Sequence, residues 1–197
     1  AEVLAASLAN LGVERGDRIA LILPPCPEFA IALFAAAKLG ATIVPLNPRL
    51  TTTELQYMLR HSEAVCAVTI EEAYGVDYLQ LFEDLIPLLP DLQYLVTVGE
   101  EDLWYDQRIF QFEDLVPAGA GRDFPTAVLD PGADCFAIVY TSGTMGKPKG
   151  VELSHTNRIH AAAGTADALV PPAHARDLWE HWERPELRWY SGGHVSF

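Results

Sequence analysis

Arg18-Ile-Ala-Leu-Ile-Leu23, Pro24-Pro25-Cys26-Pro27, a helical run from about Glu28 to Leu39, Gly40, and Ala41-Thr-Ile-Val-Pro45 together decide the fold. The first run is short and apolar throughout, as a strand buried on both faces reads. Prolines interrupt a strand but suit the first turn of a helix, so they mark the entry into the helix that follows. Gly40 stops that helix, and Ala41 to Pro45 is the next strand. Downstream, Thr51-Thr52-Thr53-Glu54 has the spacing of a capping box, predicting a helix to about His61, and Ala64 to Thr69 gives a third strand. The unit is βαβαβ, the signature of a parallel sheet covered by helices.

Beyond this unit the pattern predicts a helix at about Val76 to Leu89 and a strand at Gln93 to Val98. Gly99 to Gly132 has a different texture. Glu100-Glu101-Asp102, Pro117-Ala-Gly-Ala-Gly121 and Pro131-Gly132 read as loops around a short amphipathic piece, Phe110 to Val116, within a surface excursion of the same domain. Its acidic runs read as a solvated face.

The whole chain has 197 residues, of which 50% are hydrophobic and 20% charged, enough to bury one core. With 27 acidic against 13 basic side chains and a net charge of −14, general binding to nucleic acid through a basic face is not expected. An anionic ligand then needs a local exception to the overall charge. The three cysteines, Cys26, Cys66 and Cys135, sit in apolar runs and read as small buried hydrophobes in a reducing cytoplasm. Ala1 to Leu11 has no signal-peptide pattern, and Lys38, Gly40 and Pro45 interrupt the most apolar stretch, so neither secretion nor a membrane span is expected.

The local exception follows the strand Asp134-Cys-Phe-Ala-Ile-Val-Tyr140. Thr141-Ser142-Gly143-Thr144-Met145-Gly146-Lys147-Pro148-Lys149-Gly150 supplies what phosphate binding requires. Glycines let backbone N–H groups converge, the hydroxyls of Thr141, Ser142 and Thr144 donate, and Lys147 and Lys149 bring positive charge. A Walker loop does not fit: two residues, not four, separate Gly143 from Gly146, and Pro148 stands where a magnesium-binding hydroxyl would be. Composition alone leaves a plain hairpin between Val139-Tyr140 and Val151-Glu-Leu153 as the other reading.

The order of residues adds to this. Tyr140 to Gly150, continued by Val151-Glu-Leu-Ser-His-Thr-Asn157, closely resembles the phosphate loop of the AMP-forming adenylating enzymes, which include acyl-CoA synthetases, luciferases and peptide-synthetase adenylation domains. Leu11-Gly-Val-Glu-Arg-Gly-Asp-Arg-Ile-Ala, Pro27-Glu-Phe, Ala35 to Arg49 and Glu54-Leu55 resemble that family's first α/β layer, so the likeness covers about Leu8 to Asn157. Met145 departs from it, standing where the family usually has a second small hydroxyl residue.

The resemblance implies a carboxylate ligase of acyl-CoA synthetase type, of the kind used in fatty acid metabolism. A carboxylate attacks the α-phosphorus of ATP to give an acyl-adenylate and pyrophosphate, and a thiol such as coenzyme A displaces AMP. Its partners would be a small carboxylate and a nucleotide, with Mg2+. Thr141, Ser142, Gly143, Thr144, Met145, Gly146, Lys147 and Lys149 would line the ATP phosphates, and His155 would lie on the substrate side or merely start a helix after a capping Ser154. Nothing after Asn157 resembles the family's later segments, which shape the acyl pocket and provide a magnesium-holding glutamate, a ribose-binding aspartate and a catalytic lysine. The expectation is therefore a partial adenylating domain over 1–160, inactive alone, with self-association through an incomplete sheet.

The tail, 164–197, is expected to add a short helix and strand, as an α/β-hydrolase-like segment or an unrelated tail. Its first part, through Leu169, reads equally as a continuation of the adenylating family's helix after Asn157. Gly164-Thr-Ala-Asp167-Ala-Leu-Val and Ser191-Gly-Gly-His194 resemble the C-terminal end of α/β-hydrolases, which implies Asp167 orienting His194 as general base. No Gly-x-Ser-x-Gly nucleophile elbow accompanies them. An inert chimeric product is the third reading. His174 and His181 are seven residues apart without a third ligand at supporting spacing, so no metal site is expected.

Overall fold

Near the start of the chain a helix, α1 (Glu2–Leu11), carries Leu4, Ala5 and Leu8 into the core. The apolar run that follows becomes β1 (Arg18–Ile22), with Ile19, Ala20, Leu21 and Ile22 fully buried. Pro27 is the first residue of α2 (Pro27–Leu39), and Gly40 closes it at φ 71°, a left-handed conformation that costs a glycine little. Then come β2 (Thr42–Pro45), α3 (Thr52–His61) and β3 (Ala64–Ile70). The capping box is formed: Glu54 N–H donates to Thr51 Oγ1 at 3.3 Å, and Thr51 N–H donates to the Glu54 carboxylate at 2.9 Å. The computed structural model describes residues 1–99, 107–124, 127–141 and 147–162.

The helix expected over Val76 to Leu89 is shorter. A small hairpin, β4 (Glu72–Ala73) and β5 (Val76–Asp77), turns at Tyr74 and Gly75, and α4 (Tyr78–Leu85) starts where Asp77 accepts the Gln80 N–H at 3.0 Å. A single 3-10 turn extends it to Leu88. After β6 (Tyr94–Val98), part of the supposed surface excursion proves structural. β7 (Ile109–Gln111) pairs with β6, and α5 (Phe112–Ala118) buries Phe112 and Leu115. A three-residue strand shows no periodicity, and this is why its sequence reads as loop. Ser7 donates to the Leu115 carbonyl at 2.5 Å, fixing α5 against α1.

The sheet has the order β7-β6-β3-β1-β2-β8-β9, where β8 is Cys135–Thr141 and β9 is Lys149–Ser154. Every pairing from β7 through β8 is parallel, with Ile19 opposite Ile43 and Cys66, and Ile43 opposite Ala137. One face packs against α1, α2 and α5 through Leu4, Ala35, Phe112, Ile43 and Val68. The other packs against α3 and α4 through Leu55, Leu59, Phe82, Val44 and Leu95. Each fully buried Leu or Ile contributes roughly 1.5–3 kcal/mol, so this two-faced core is the main source of stability.

The cysteines are free; Cys66 is buried, whereas Cys26 and Cys135 are only half-buried. The chain forms two compact units: Ala1–Val128 with Phe136–Glu152, and Leu129–Cys135 with the chain from Leu153. In the second unit, α6 (His155–Ala162) starts after Ser154, whose Oγ accepts the Asn157 N–H at 3.2 Å. The expected segment 164–197 lies outside the described residues.

Candidate phosphate-binding site

β8 alternates as a strand between two helical layers must. Ala137 and Val139 face the first core, while Ile138 and Tyr140 pack on the second, where α3 lies. Its last residue, Thr141, is exposed. Lys147 and Lys149 return on the far side of the loop with exposed side chains. Ser142, Gly143, Thr144, Met145 and Gly146 lie outside the described residues, and the two roots of the loop lie within them.

α3 reaches both roots. Tyr140 Oη donates to the Met58 carbonyl at 3.2 Å, and His61 Nδ1 lies 2.8 Å from the same phenol oxygen. A phenol has one proton, so with that proton on Met58 the imidazole Nδ1–H donates to Tyr140. The rings meet edge to face, 5.8 Å apart. Burial, and next the neighbouring Tyr57, push the Tyr140 phenol up to about 12. At the other root, Tyr57 Oη donates to the Pro148 carbonyl at 3.2 Å, and Lys147 Nζ lies 5.2 Å from the Tyr57 ring centroid. Gly150 completes the arrangement: a Cβ there would sit 2.8 Å from Ile138 Cγ2. Only a glycine lets β9 approach β8 this closely.

Sequence reasoning assigned no role to Tyr57 or His61. Their four-residue spacing places them on one helix face, beside the buried stripe of Leu55, Met58 and Leu59, and no motif distinguishes that flank from an ordinary polar face. It also missed a cavity of about 450 Å³ at the carboxyl ends of β1 and β2, lined by Leu23, Pro24, Phe29, Pro45, Asn47 and Arg49. Arg49 lies over the Tyr74 ring, 4.2 Å from its centroid. From β1 the chain passes to α2 on one face, and from β2 to α3 on the other. Open parallel sheets bind ligands at such a divergence.

His155 opens α6 in the second unit. Its imidazole is half-buried, and burial lowers its pKa against the opposing pull of Asp134. Among the described residues, no group of three His, Cys, Asp or Glu could hold a metal ion. Asp167, His174, His181 and His194 lie outside the described residues.

The sequence profile described as "AMP-binding enzyme" matches residues 1–181. The chain belongs to the AMP-binding enzyme family. Among curated AMP-binding relatives, it is 35% identical over 148 residues to the crotonobetaine/carnitine–CoA ligase of Salmonella heidelberg, covering 75% of this chain and 28% of that protein. It is 32% identical over 175 residues to 4-coumarate–CoA ligase 2 of Oryza sativa subsp. japonica, covering 86% of this chain and 30% of the relative. The crystal structure of an anthranilate CoA ligase in complex with anthranoyl-AMP superposes with a TM-score of 0.71 at 27% identity, over 82% of this chain and 29% of that one. A long-chain-fatty-acid–CoA ligase from Archaeoglobus fulgidus gives 0.66 at 28% identity, over 82% of this chain and 29% of that one. The matched part of the chain therefore spans under a third of the length of these relatives. The family match extends past Asn157 and takes in Asp167. His194 lies beyond that match.

Proposed function

We propose that this chain carries the phosphate-binding part of an ATP-dependent, AMP-forming carboxylate–CoA ligase. In the reaction so assigned, a carboxylate oxygen bonds to the α-phosphorus of MgATP as the bond to the β-phosphate breaks, releasing pyrophosphate. The coenzyme A thiol, having lost its proton, then attacks the acyl carbon, and AMP leaves. The observation that carries this reading is the pair of exposed lysines, Lys147 and Lys149, held at the root of a Gly/Ser/Thr loop at the carboxyl end of β8.

Charge accumulates on the leaving pyrophosphate, so donors already aimed at it lower the barrier without reorganising. The hydroxyls of Thr141, Ser142 and Thr144 and the N–H groups of Gly143 and Gly146 are assigned as those donors. Lys147 and Lys149 supply charge that can follow the phosphates. Met145 offers no hydroxyl, so its contribution is limited to its backbone N–H. Mg2+ arrives with ATP as part of the substrate. His155, whose pKa burial lowers, is assigned to the substrate side. Coenzyme A combines phosphates with an aromatic base, and the crevice beside β1 and β2 offers it apolar walls, the Tyr74 ring and the Arg49 guanidinium.

Calorimetric titration of the chain with MgATP, alongside the Thr144→Ala, Lys149→Ala double variant, tests the reading. Heat of binding in the parent and its loss in the variant are expected. Equal titrations for both proteins would refute the assignment of the loop. Carboxylate-dependent ATP–pyrophosphate exchange is expected to be absent from this chain, because the 148 residues it shares with a ligase relative cover 28% of that relative's length.

A further inference from the structure

Lys147 has a neutral partner in a chain of net charge −14. Among the described residues it forms no ion pair, in contrast to Lys38, which meets the Glu2 carboxylate at 3.0 Å. A carboxylate partner would neutralise the charge and compete directly with a phosphate. An aromatic face attracts the ammonium through its quadrupole, holds it weakly at an exposed site and leaves its charge intact. The same Tyr57 side chain holds the next residue by a different force, donating its phenolic proton to the Pro148 carbonyl. Consecutive residues, one held through a side chain and the other through its backbone, are therefore fixed to one point on α3.

That point is itself rigid. α3 begins in the Thr51–Glu54 capping box, and its end is tied to β1 by Arg18, which donates to the Ser62 and Glu63 carbonyls at 2.9 Å each. One turn beyond Tyr57, His61 donates to Tyr140 at the opposite root. The helix thus fixes the separation of the two roots.

We propose that Tyr57 is a positioning residue for nucleotide binding: its ring docks the Lys147 ammonium and its hydroxyl tethers Pro148, presenting the lysine charge to an incoming phosphate without neutralising it. This rests on the reading that Lys147 meets ATP phosphate. Ordering the root in advance removes part of the conformational entropy that binding would otherwise have to offset. The ring yields Lys147 to phosphate because a charged contact outweighs an exposed cation–π contact.

The test is a 1H–13C spectrum of the lysine side chains combined with amide exchange and an MgATP titration. In the parent chain the Lys147 ε-methylene resonance, assigned with Lys147→Arg, lies upfield of the other lysines through the Tyr57 ring current, and MgATP moves it. Tyr57→Phe keeps the upfield shift, since the ring remains, but speeds amide exchange at Lys149 and Gly150. Tyr57→Leu loses the shift and binds MgATP roughly three- to tenfold more weakly, the loss of one exposed cation–π contact and one hydrogen bond. An unshifted Lys147 resonance in the parent overturns the docking, as does a shift that survives in Tyr57→Leu. Should Tyr57→Leu not fold, unchanged exchange in Tyr57→Phe overturns the tether. If MgATP moves no resonance in the parent, the phosphate reading falls and takes the purpose of Tyr57 with it; the ring-current result separates that failure from a failure of the docking itself.

Discussion

Tyr140 shows how a single residue ties the core to the loop. Its ring packs on the α3 layer, its hydroxyl is shared between Met58 and His61, and Thr141 follows immediately. Its phenol is pushed up to about 12 in the folded state, against roughly 10 when unfolded. Below the unfolded value both states keep the proton. Between the two values the unfolded chain binds fewer protons than the native one, so this contribution to stability falls as pH rises from about 10 to about 12. The buried Cys66 thiol, also near 12, acts in the same direction from about 9 upward. Urea denaturation on either side of pH 10 is predicted to show a smaller alkaline loss of stability in Tyr140→Phe than in the parent; equal losses would contradict the assignment. The proposed chemistry of the loop rests on its glycines, hydroxyls and lysines, which the sequence alone supplies. The grip of Tyr57 and His61 was not, because it depends on which strand lies opposite α3, a tertiary fact that helical periodicity does not encode.

Among the elements, α3 has the clearest sequence signature and the most to hold. Thr51 and Glu54 form the box that their spacing predicts, and hydrogen bonds from Thr51 keep the Glu54 carboxyl below its usual range. Thr51→Ala is predicted to cost about 1 kcal/mol in chemical denaturation and to increase amide exchange in the first turn of α3. An unchanged midpoint would show that tertiary packing alone holds the helix. Other elements were less legible for identifiable reasons. α1 has no side-chain N-cap and consists largely of Ala and Leu. β7 is three residues long and is specified by its pairing with β6, and α4 is shortened by a hairpin whose turn uses Gly75 at φ 77°. By contrast, β1, α2, β2 and β3 were legible from their apolar runs and the turn signals between them, and α3 from its capping box.

At the scale of the whole molecule, the parallel sheet brings the carboxyl ends of its strands to one side, and both candidate ligand regions, the loop root after β8 and the crevice after β1 and β2, use such ends. β9 ends the described sheet, and Val151 on it is 43% exposed. A terminal strand with an exposed apolar side chain invites pairing between copies. Light scattering during size-exclusion chromatography is predicted to show concentration-dependent self-association, and a monodisperse monomer at every concentration would contradict it. An acidic chain otherwise repels anions, so the proposed affinity for ATP rests on the loop and its two lysines and not on the general field. Competition titration against MgATP with inorganic tripolyphosphate and with AMP tests this most directly. Tripolyphosphate is predicted to displace ATP and AMP to leave it bound; displacement by AMP with no effect of tripolyphosphate would contradict the assignment of this loop to the phosphates.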